Sequence, residues 1–238
     1  MRIHIEGVKF APYFLEYKEV DSTQDVAFEL LEDEKVDSCV VFSYKQRKGR
    51  GRKGAYWFSP YGGLWVSIGF KNILPKNVYL ASCVSVSNFL EKEFNIENKI
   101  KLPNDIVVHD KKICGILVES KKNLVVSGIG LNVNIKEFPE EIRDSATSIY
   151  ILKNEEYDLK KVLLSFLEEF LKNISHFSFK NLFNYYIIKT SIIGEKVKFD
   201  YMNKKIEGKV LDINENFEIL IENKGKFEIG IIKNFEKL

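Results

Sequence analysis

Histidine and cysteine are scarce in this 238-residue chain, with three of each. Cys39, Cys83 and Cys114 leave an odd thiol and form no C-x-x-C pair, which argues against both a disulfide framework and a zinc site. His4, His109 and His176 sit in no motif, so a histidine-based triad has no candidate. No segment approaches the roughly 18–20 continuous apolar residues of a membrane span, and the start, MRIHIEGVKF, lacks the apolar core of a signal peptide. Net charge is almost absent too: 36 basic and 34 acidic residues leave +2, so a general polyanion-binding surface is not implied. There is no P-loop pattern, and Gly128-Ile129-Gly130 lacks the third glycine and the following helix of a dinucleotide fingerprint. Internal repeats and low-complexity segments are missing as well. A reduced, cytoplasmic protein with no metal centre is expected.

Apolar residues are abundant, at 45% with 13% aromatics, enough for a substantial core. Residues 13–20 read as a strand, followed by Ser22-Thr23 ahead of a helical pattern from Val26 to Leu31. Those hydroxyls have two readings: helix caps, or ligand contacts at a strand-to-helix junction. Further strands are expected at 38–44 and 64–70. After Pro75, an amphipathic helix carries Leu80, Cys83, Val84, Ser87, Leu90 and Phe94 on one face. Residues 106–108 and 112–119 read as a hairpin turning at His109-Asp110-Lys111, and 124–134 as a strand whose glycines mark a bulge or a close approach by a ligand or another backbone. A helical stripe begins at Leu159 and runs less regularly to about Lys189. From Thr190 short alternating strands predict a small β-barrel. The expected domains are 1–189 and 190–238.

One stretch stands out. Between Tyr44 and Phe70, Lys45, Arg47, Lys48, Arg50, Arg52 and Lys53 are interleaved with Gly49, Gly51 and Gly54. Glycines let backbone amides turn toward a ligand, and arginine offers planar forks that match phosphate or carboxylate. Alone, the stretch fits a small anion, a nucleic acid or a solvated surface equally well. Lys112 precedes a strand and Asp105 lies in a tight turn. Without a covalent nucleophile, this inventory suits chemistry that works by charge stabilisation and positioning, such as nucleotidyl transfer.

Taken together, the motifs resemble those of the biotin protein ligases. DSTQ at 21–24 is similar to D-S-T-N, QRKGRGRKGAYW at 46–57 to Q-x-x-G-R-G-R-x-G-R-x-W, and KLPNDI at 101–106 to K-W-P-N-D. KICGILVE at 112–119, GIGLNVN at 128–134 and ATSI at 146–149 match three further family blocks in order. Three departures stand out: Gln24 for asparagine, Leu102 for tryptophan, and Ala55 for an arginine whose contact Lys53 is placed to fill.

The resemblance implies an ATP-dependent ligase that makes biotinyl-5′-AMP and passes the biotinyl group to a lysine of a biotin carboxyl carrier protein or domain. It implies Ser22, Thr23 and Gln46 at the ureido ring, and Arg50 and Arg52 on the carboxylate and phosphates. Lys112 would act on the carboxylate and then the acyl-adenylate carbonyl. Gly115, Gly128 and Gly130 would leave room for biotin, Trp57 would pack by the adenine, and Asn104 and Asn132 would contact the nucleotide. Asp105 is implied as acceptor of the incoming lysine's proton, or else as closure of the Pro-Asn-Asp turn. ATP and biotin are the expected substrates, with Mg2+ bound to the ATP. The implied fold is α+β: a mixed, mainly antiparallel sheet with helices packed on it, like class II aminoacyl-tRNA synthetase cores, plus an SH3-like barrel. A homodimer is implied. Because the motifs begin at residue 21, no DNA-binding repressor domain is expected. Two rivals compete: a lipoate–protein ligase, which would lack the G-R-G-R loop, and an RNA-binding protein, which would leave DSTQ, KLPND and KICGILVE unexplained.

Overall fold

In a computed structural model of the chain, residues 3–5, 8–10, 12–175 and 178–238 are described; His176 lies outside them. Strands β1 (Ile3–Ile5) and β2 (Val8–Phe10) form a short antiparallel pair. Next come β3 (Tyr13–Tyr17), α1 (Thr23–Glu32), β4 (Ser38–Ser43), β5 (Leu64–Lys71) and α2 (Pro75–Phe94). They are followed by β6 (Lys99–Lys101), β7 (Asp105–Val108), β8 (Lys111–Lys121) and β9 (Leu124–Leu131). These build a seven-stranded sheet in the order β3-β4-β5-β9-β8-β7-β6. Only β3 and β4 run parallel, joined through α1, and every other pairing is antiparallel. The β7–β8 turn uses His109 and Asp110, both at positive φ (48° and 62°), as a two-residue loop that follows strand twist requires.

The strand alternation divides the sheet into two faces. Val66, Ile68 and Phe70 of β5 and Val125 and Ile129 of β9 join the large core on the α2 side. On the opposite face α1 lays Ala27 and Leu31 against Cys39, Val41 and Val126. The stretch of that second face beyond α1 is left for the site.

Helix α2 departs from the one-sided pattern expected of it. Val78, Leu80 to Ser87, Phe89, Leu90 and Phe94 are all buried, because the helix is covered by the sheet on one side and by α4 (Leu159–Ser175) and α5 (Phe179–Thr190) on the other; the short α3 (Ile149–Lys153) precedes them. Its interior serines are tolerated because each is bonded. Ser82 reaches Ser127 at 2.8 Å, Ser85 accepts from Asn173 at 3.0 Å, and Ser87 meets Tyr185 at 3.2 Å.

The remaining strands are β10 (Lys196–Tyr201), β11 (Lys204–Ile213), β12 (Glu218–Ile221), β13 (Gly225–Glu228) and β14 (Lys233–Lys237). They form a separate antiparallel sheet in the order β13-β12-β11-β10-β14. End strands β13 and β14 are not paired with each other, so the closure of a barrel is not seen. Alternation decides which face a strand buries but not whether the sheet's edges meet. Among the described residues, no helix is long and apolar enough to cross a membrane.

Candidate active site

A cleft of about 600 Å3 opens on the α1 face of the large sheet, between the ends of β5, β8 and β9 and the loop that precedes β5. Its three sides carry different chemistry.

One end is polar. Ser22 sits at the N-cap position of α1 without capping it; its Oγ accepts from Arg50 Nη1 at 3.0 Å. Gln46 Oε1 accepts from Thr23 N at 2.9 Å and lies 3.0 Å from Thr23 Oγ1. The capping reading of these hydroxyls therefore fails: both serve tertiary contacts at a strand-to-helix junction.

The floor is glycine. A Cβ on Gly128 would stand 2.4 Å from Gln24 Oε1, and one on Gly130 would stand 2.3 Å from Trp57 Nε1. At Gly115 it would meet the Trp57 ring at 3.1 Å. The glycines thus give room to two of the protein's own side chains. Trp57 Nε1 is buried without a hydrogen-bond partner, an expensive state for an indole N–H.

The third side is charged. Lys112 Nζ lies 2.7 Å from Asp105 Oδ1 and 4.7 Å from the Trp57 ring centroid. Asp105 Oδ1 has this ion contact alone. The strand carrying Lys112 is fixed by Ala146 and Thr147, with Lys112 N donating to Ser145 O and Thr147 N to Lys112 O.

The basic loop is partitioned. Glu19 takes Lys45 and Arg47, and Asp21 takes Arg47 and Lys48. Hydrogen bonding from Lys48, then from Arg47, holds the Asp21 carboxyl below its usual range. Arg50 points inward to Asp25 at 2.7 Å and Glu119 at 2.9 Å. Burial pulls its pKa down, but these two carboxylates prevail and leave it above the ordinary guanidinium value. Arg52 donates through Nη2 to the carbonyls of Gly230 and Ile232, and Lys53 Nζ reaches Ile231 O at 3.1 Å. Burial lowers the Arg52 pKa against the pull of Tyr79 and Asp105. Loop and small sheet are therefore stitched together beside the cleft, which Ile232, Lys233 and Asn234 also line. Spacing gave no sign of these three residues.

Ser22, Thr23, Gln46, Arg50, Arg52, Trp57, Asn104, Asp105, Lys112, Gly115, Gly128 and Gly130 all line this one cleft. Two of the asparagines expected at the nucleotide carry bonds within the chain. Asn132, only 3% exposed, gives its amide to Thr147 O at 2.9 Å, and Asn104 gives its amide to Ile116 O at 2.7 Å. Both staple backbone, and Asn132 is not at the cleft surface. Leu102 is buried in the large core and Ala55 is exposed.

A cleft with a hydrogen-bonding end, a flat glycine floor and cations at the other end defines a site for an elongated molecule carrying a terminal anion. Residues 17–135 match the model of the biotin/lipoate A/B protein ligase family. The chain is 31% identical over 221 residues to the bifunctional ligase/repressor BirA of Bacillus spizizenii, covering 85% of this chain and 67% of that protein. It is 26% identical over 203 residues to the biotin–[acetyl-CoA-carboxylase] ligase of Mycobacterium tuberculosis, covering 80% and 76%. Among solved structures, the biotin protein ligase of Aquifex aeolicus in complex with biotin and ATP superposes with a TM-score of 0.80 at 34% identity, covering 95% of this chain and 99% of that one. The chain belongs to the biotin/lipoate A/B protein ligase family, as one of its biotin protein ligases.

Proposed function

We propose that the chain activates biotin with ATP to biotinyl-5′-AMP and transfers the biotinyl group to a lysine of a biotin carboxyl carrier protein or domain. The observation that carries this reading is the order of chemistry along one cleft: amide and hydroxyl groups at Ser22, Thr23 and Gln46 with Arg50 beside them, then glycine strands, then Lys112 and Arg52. A ureido ring needs matched donors and acceptors when buried, while a carboxylate attacking a phosphate needs cations that stay in place as charge grows. Lys112 orients the carboxylate and stabilises the acyl-adenylate carbonyl. Arg50 and Arg52 hold carboxylate and phosphates. Asp105, paired with Lys112, accepts the proton of the incoming lysine. Trp57 moves from the glycine floor to pack by the adenine, with Asn104 at the nucleotide. Asn132 acts by holding the 146–149 segment behind Lys112.

Magnesium arrives bound to the triphosphate; among the described residues no group of three or more His, Cys, Asp or Glu could hold it independently. The division into a catalytic unit of the class II synthetase type, 1–189, and a small SH3-like unit, 190–238, belongs to the same proposal, as do a homodimer and a cytoplasmic setting. Calorimetry with biotin and then lipoate, each followed by ATP and magnesium with pyrophosphate release recorded, tests the reading. Biotin should bind and release pyrophosphate, and lipoate should do neither; the reverse preference would refute it.

A further inference from the structure

The polar end of the cleft holds one proton fewer than its geometry calls for. Both glutamine amides have a fixed orientation. Gln24 Nε2 donates to the carbonyls of Leu117 (3.3 Å) and Val126 (3.2 Å). Gln46 Nε2 donates to Ser59 Oγ at 3.1 Å, whose own proton goes to Trp57 O at 3.0 Å. Only an NH2 group can face those acceptors. The two amide oxygens therefore look at each other across a pair of hydroxyls. The spacings are 3.0 Å from Gln46 Oε1 to Thr23 Oγ1, 2.8 Å from Thr23 Oγ1 to Ser67 Oγ, and 3.2 Å from Ser67 Oγ to Gln24 Oε1. That makes three gaps for two hydroxyl protons. Thr23 and Gln24 are 3% and 4% exposed and Ser67 is fully buried, so the missing proton is felt in a low-dielectric place.

Of three ways to place the two protons, the one that leaves the 2.8 Å contact between Thr23 and Ser67 empty sets two oxygens against each other, so two settings compete. Ser67 can donate to Thr23 and Thr23 to Gln46, which leaves the Gln24 oxygen without a proton. Alternatively Thr23 donates to Ser67 and Ser67 to Gln24, which leaves the Thr23 N–H as the donor to Gln46 Oε1 and turns free lone pairs of Gln46 and Thr23 to the cleft. A ligand N–H arriving at Gln46 or Thr23 meets those lone pairs only in the second setting, in which both amide oxygens are served as well. A ligand with a ring oxygen or sulfur there completes neither.

We propose that Gln24 and Ser67 are specificity-determining residues, the far end of a hydroxyl row that selects ligands presenting an N–H to Thr23 and Gln46. The proposal rests on the biotin reading above and explains why this cleft-lining residue is a glutamine held out over Gly128. The extra methylene relative to asparagine carries its oxygen to where a Cβ on Gly128 would stand at 2.4 Å.

The test is calorimetric affinity for biotin and for its two carbamate analogues, in which one or the other ring N–H is replaced by oxygen. It is made on the unaltered protein, Ser67→Ala and Gln24→Met. Ser67→Ala deletes only a hydroxyl, so it stays informative should Gln24→Met fold poorly. The unaltered protein should prefer biotin over one of the analogues by about tenfold, one completed hydrogen bond's worth. In Ser67→Ala, Thr23 is free to serve Gln46 permanently, and the preference should shrink to about threefold or less. A merely structural role would weaken all three ligands alike and leave their ratio unchanged. A ratio unchanged in Ser67→Ala, or no preference in the unaltered protein, overturns the proposal. Failure of the unaltered protein to bind any of the three would instead overturn the biotin reading beneath it.

Discussion

Adding one methyl group at two neighbouring glycines of β9 should separate stability from function. At Gly128 the new Cβ would stand 2.4 Å from Gln24 Oε1, and the amide it strikes is tied by three hydrogen bonds, to Leu117, Val126 and Ser67. Displacing it loses about 1 kcal/mol net for each bond. Alanine recovers roughly 0.4–1 kcal/mol by restricting the unfolded chain. Gly128→Ala should therefore cost about 2 kcal/mol, which for a chain of this size lowers Tm by about 4–8 °C. At Gly130 the Cβ would stand 2.3 Å from Trp57 Nε1, a partly exposed indole whose N–H has no partner to lose. The ring can swing outward, so Gly130→Ala should hold its stability within about 1 kcal/mol. Its ligand affinity should fall all the same, since floor and indole no longer fit one another. Paired thermal unfolding and biotin calorimetry decide the matter. Equal loss of Tm at both positions would refute the claim that Gln24 is anchored while Trp57 is free to move.

Other outcomes follow from the same contacts. Arg52→Ala removes the bonds to Gly230 and Ile232, so limited proteolysis within 47–56 should accelerate and adenylate should dissociate faster; unchanged cleavage and release would discard the tether. Lys112→Ala should slow pyrophosphate release at least a hundredfold if it stabilises growing charge. The same change leaves Asp105 unpaired at a destabilisation of about 1–3 kcal/mol. Burial pushes the Cys39 and Cys83 thiols up to about 12 and Cys114 well above the usual thiol value. The unfolded chain then ionises first, so stability is kept below about pH 9 and declines as pH rises from 9 toward 12. Native protein at pH 8 should accordingly give almost no reaction with a disulfide reagent, and three equivalents once unfolded. Six basic residues at 45–53 could give a salt slope near −4 on single-stranded RNA at about −0.7 per phosphate; with four carboxylates already upon them, any slope should be nearer −1.

The candidate site was largely legible in the chain because its parts are local. Ser22-Thr23, the 46–57 loop, Pro103 to Asp105 and Lys112 each lie in a short block whose side chains act near their own backbone, and all reach one cleft. The strand and helix periods likewise gave most elements to within a few residues. What escaped was pairing over distance. Nothing in the alternation of β3 and β4 announces that they run parallel. The alternation that carries Asn132 does not announce that its amide nitrogen turns toward Thr147, fifteen residues on. The burial of α2 on all sides depended on α4 and α5, whose own stripes declare a buried face without naming what it meets. The last strands alternate as a barrel's would, yet closure turns on edges that no period records.

The loop's charges settle which of its three initial readings the fold favours. Lys45, Arg47 and Lys48 answer to Glu19 and Asp21, so the outer half of the cluster offers little to a phosphate backbone. The inner half is held differently. Arg50 is balanced by carboxylates at the polar end, whereas Arg52 and Lys53 are held by neutral carbonyls of the small sheet. A carbonyl fixes a cation's place without cancelling its charge, and a guanidinium tethered through one nitrogen keeps donors for another partner. That arrangement presents positive charge on one wall of a cleft too small for a polymer. It also makes the small sheet part of the site, since losing residues 230–232 would leave Arg52 without the support that aims it.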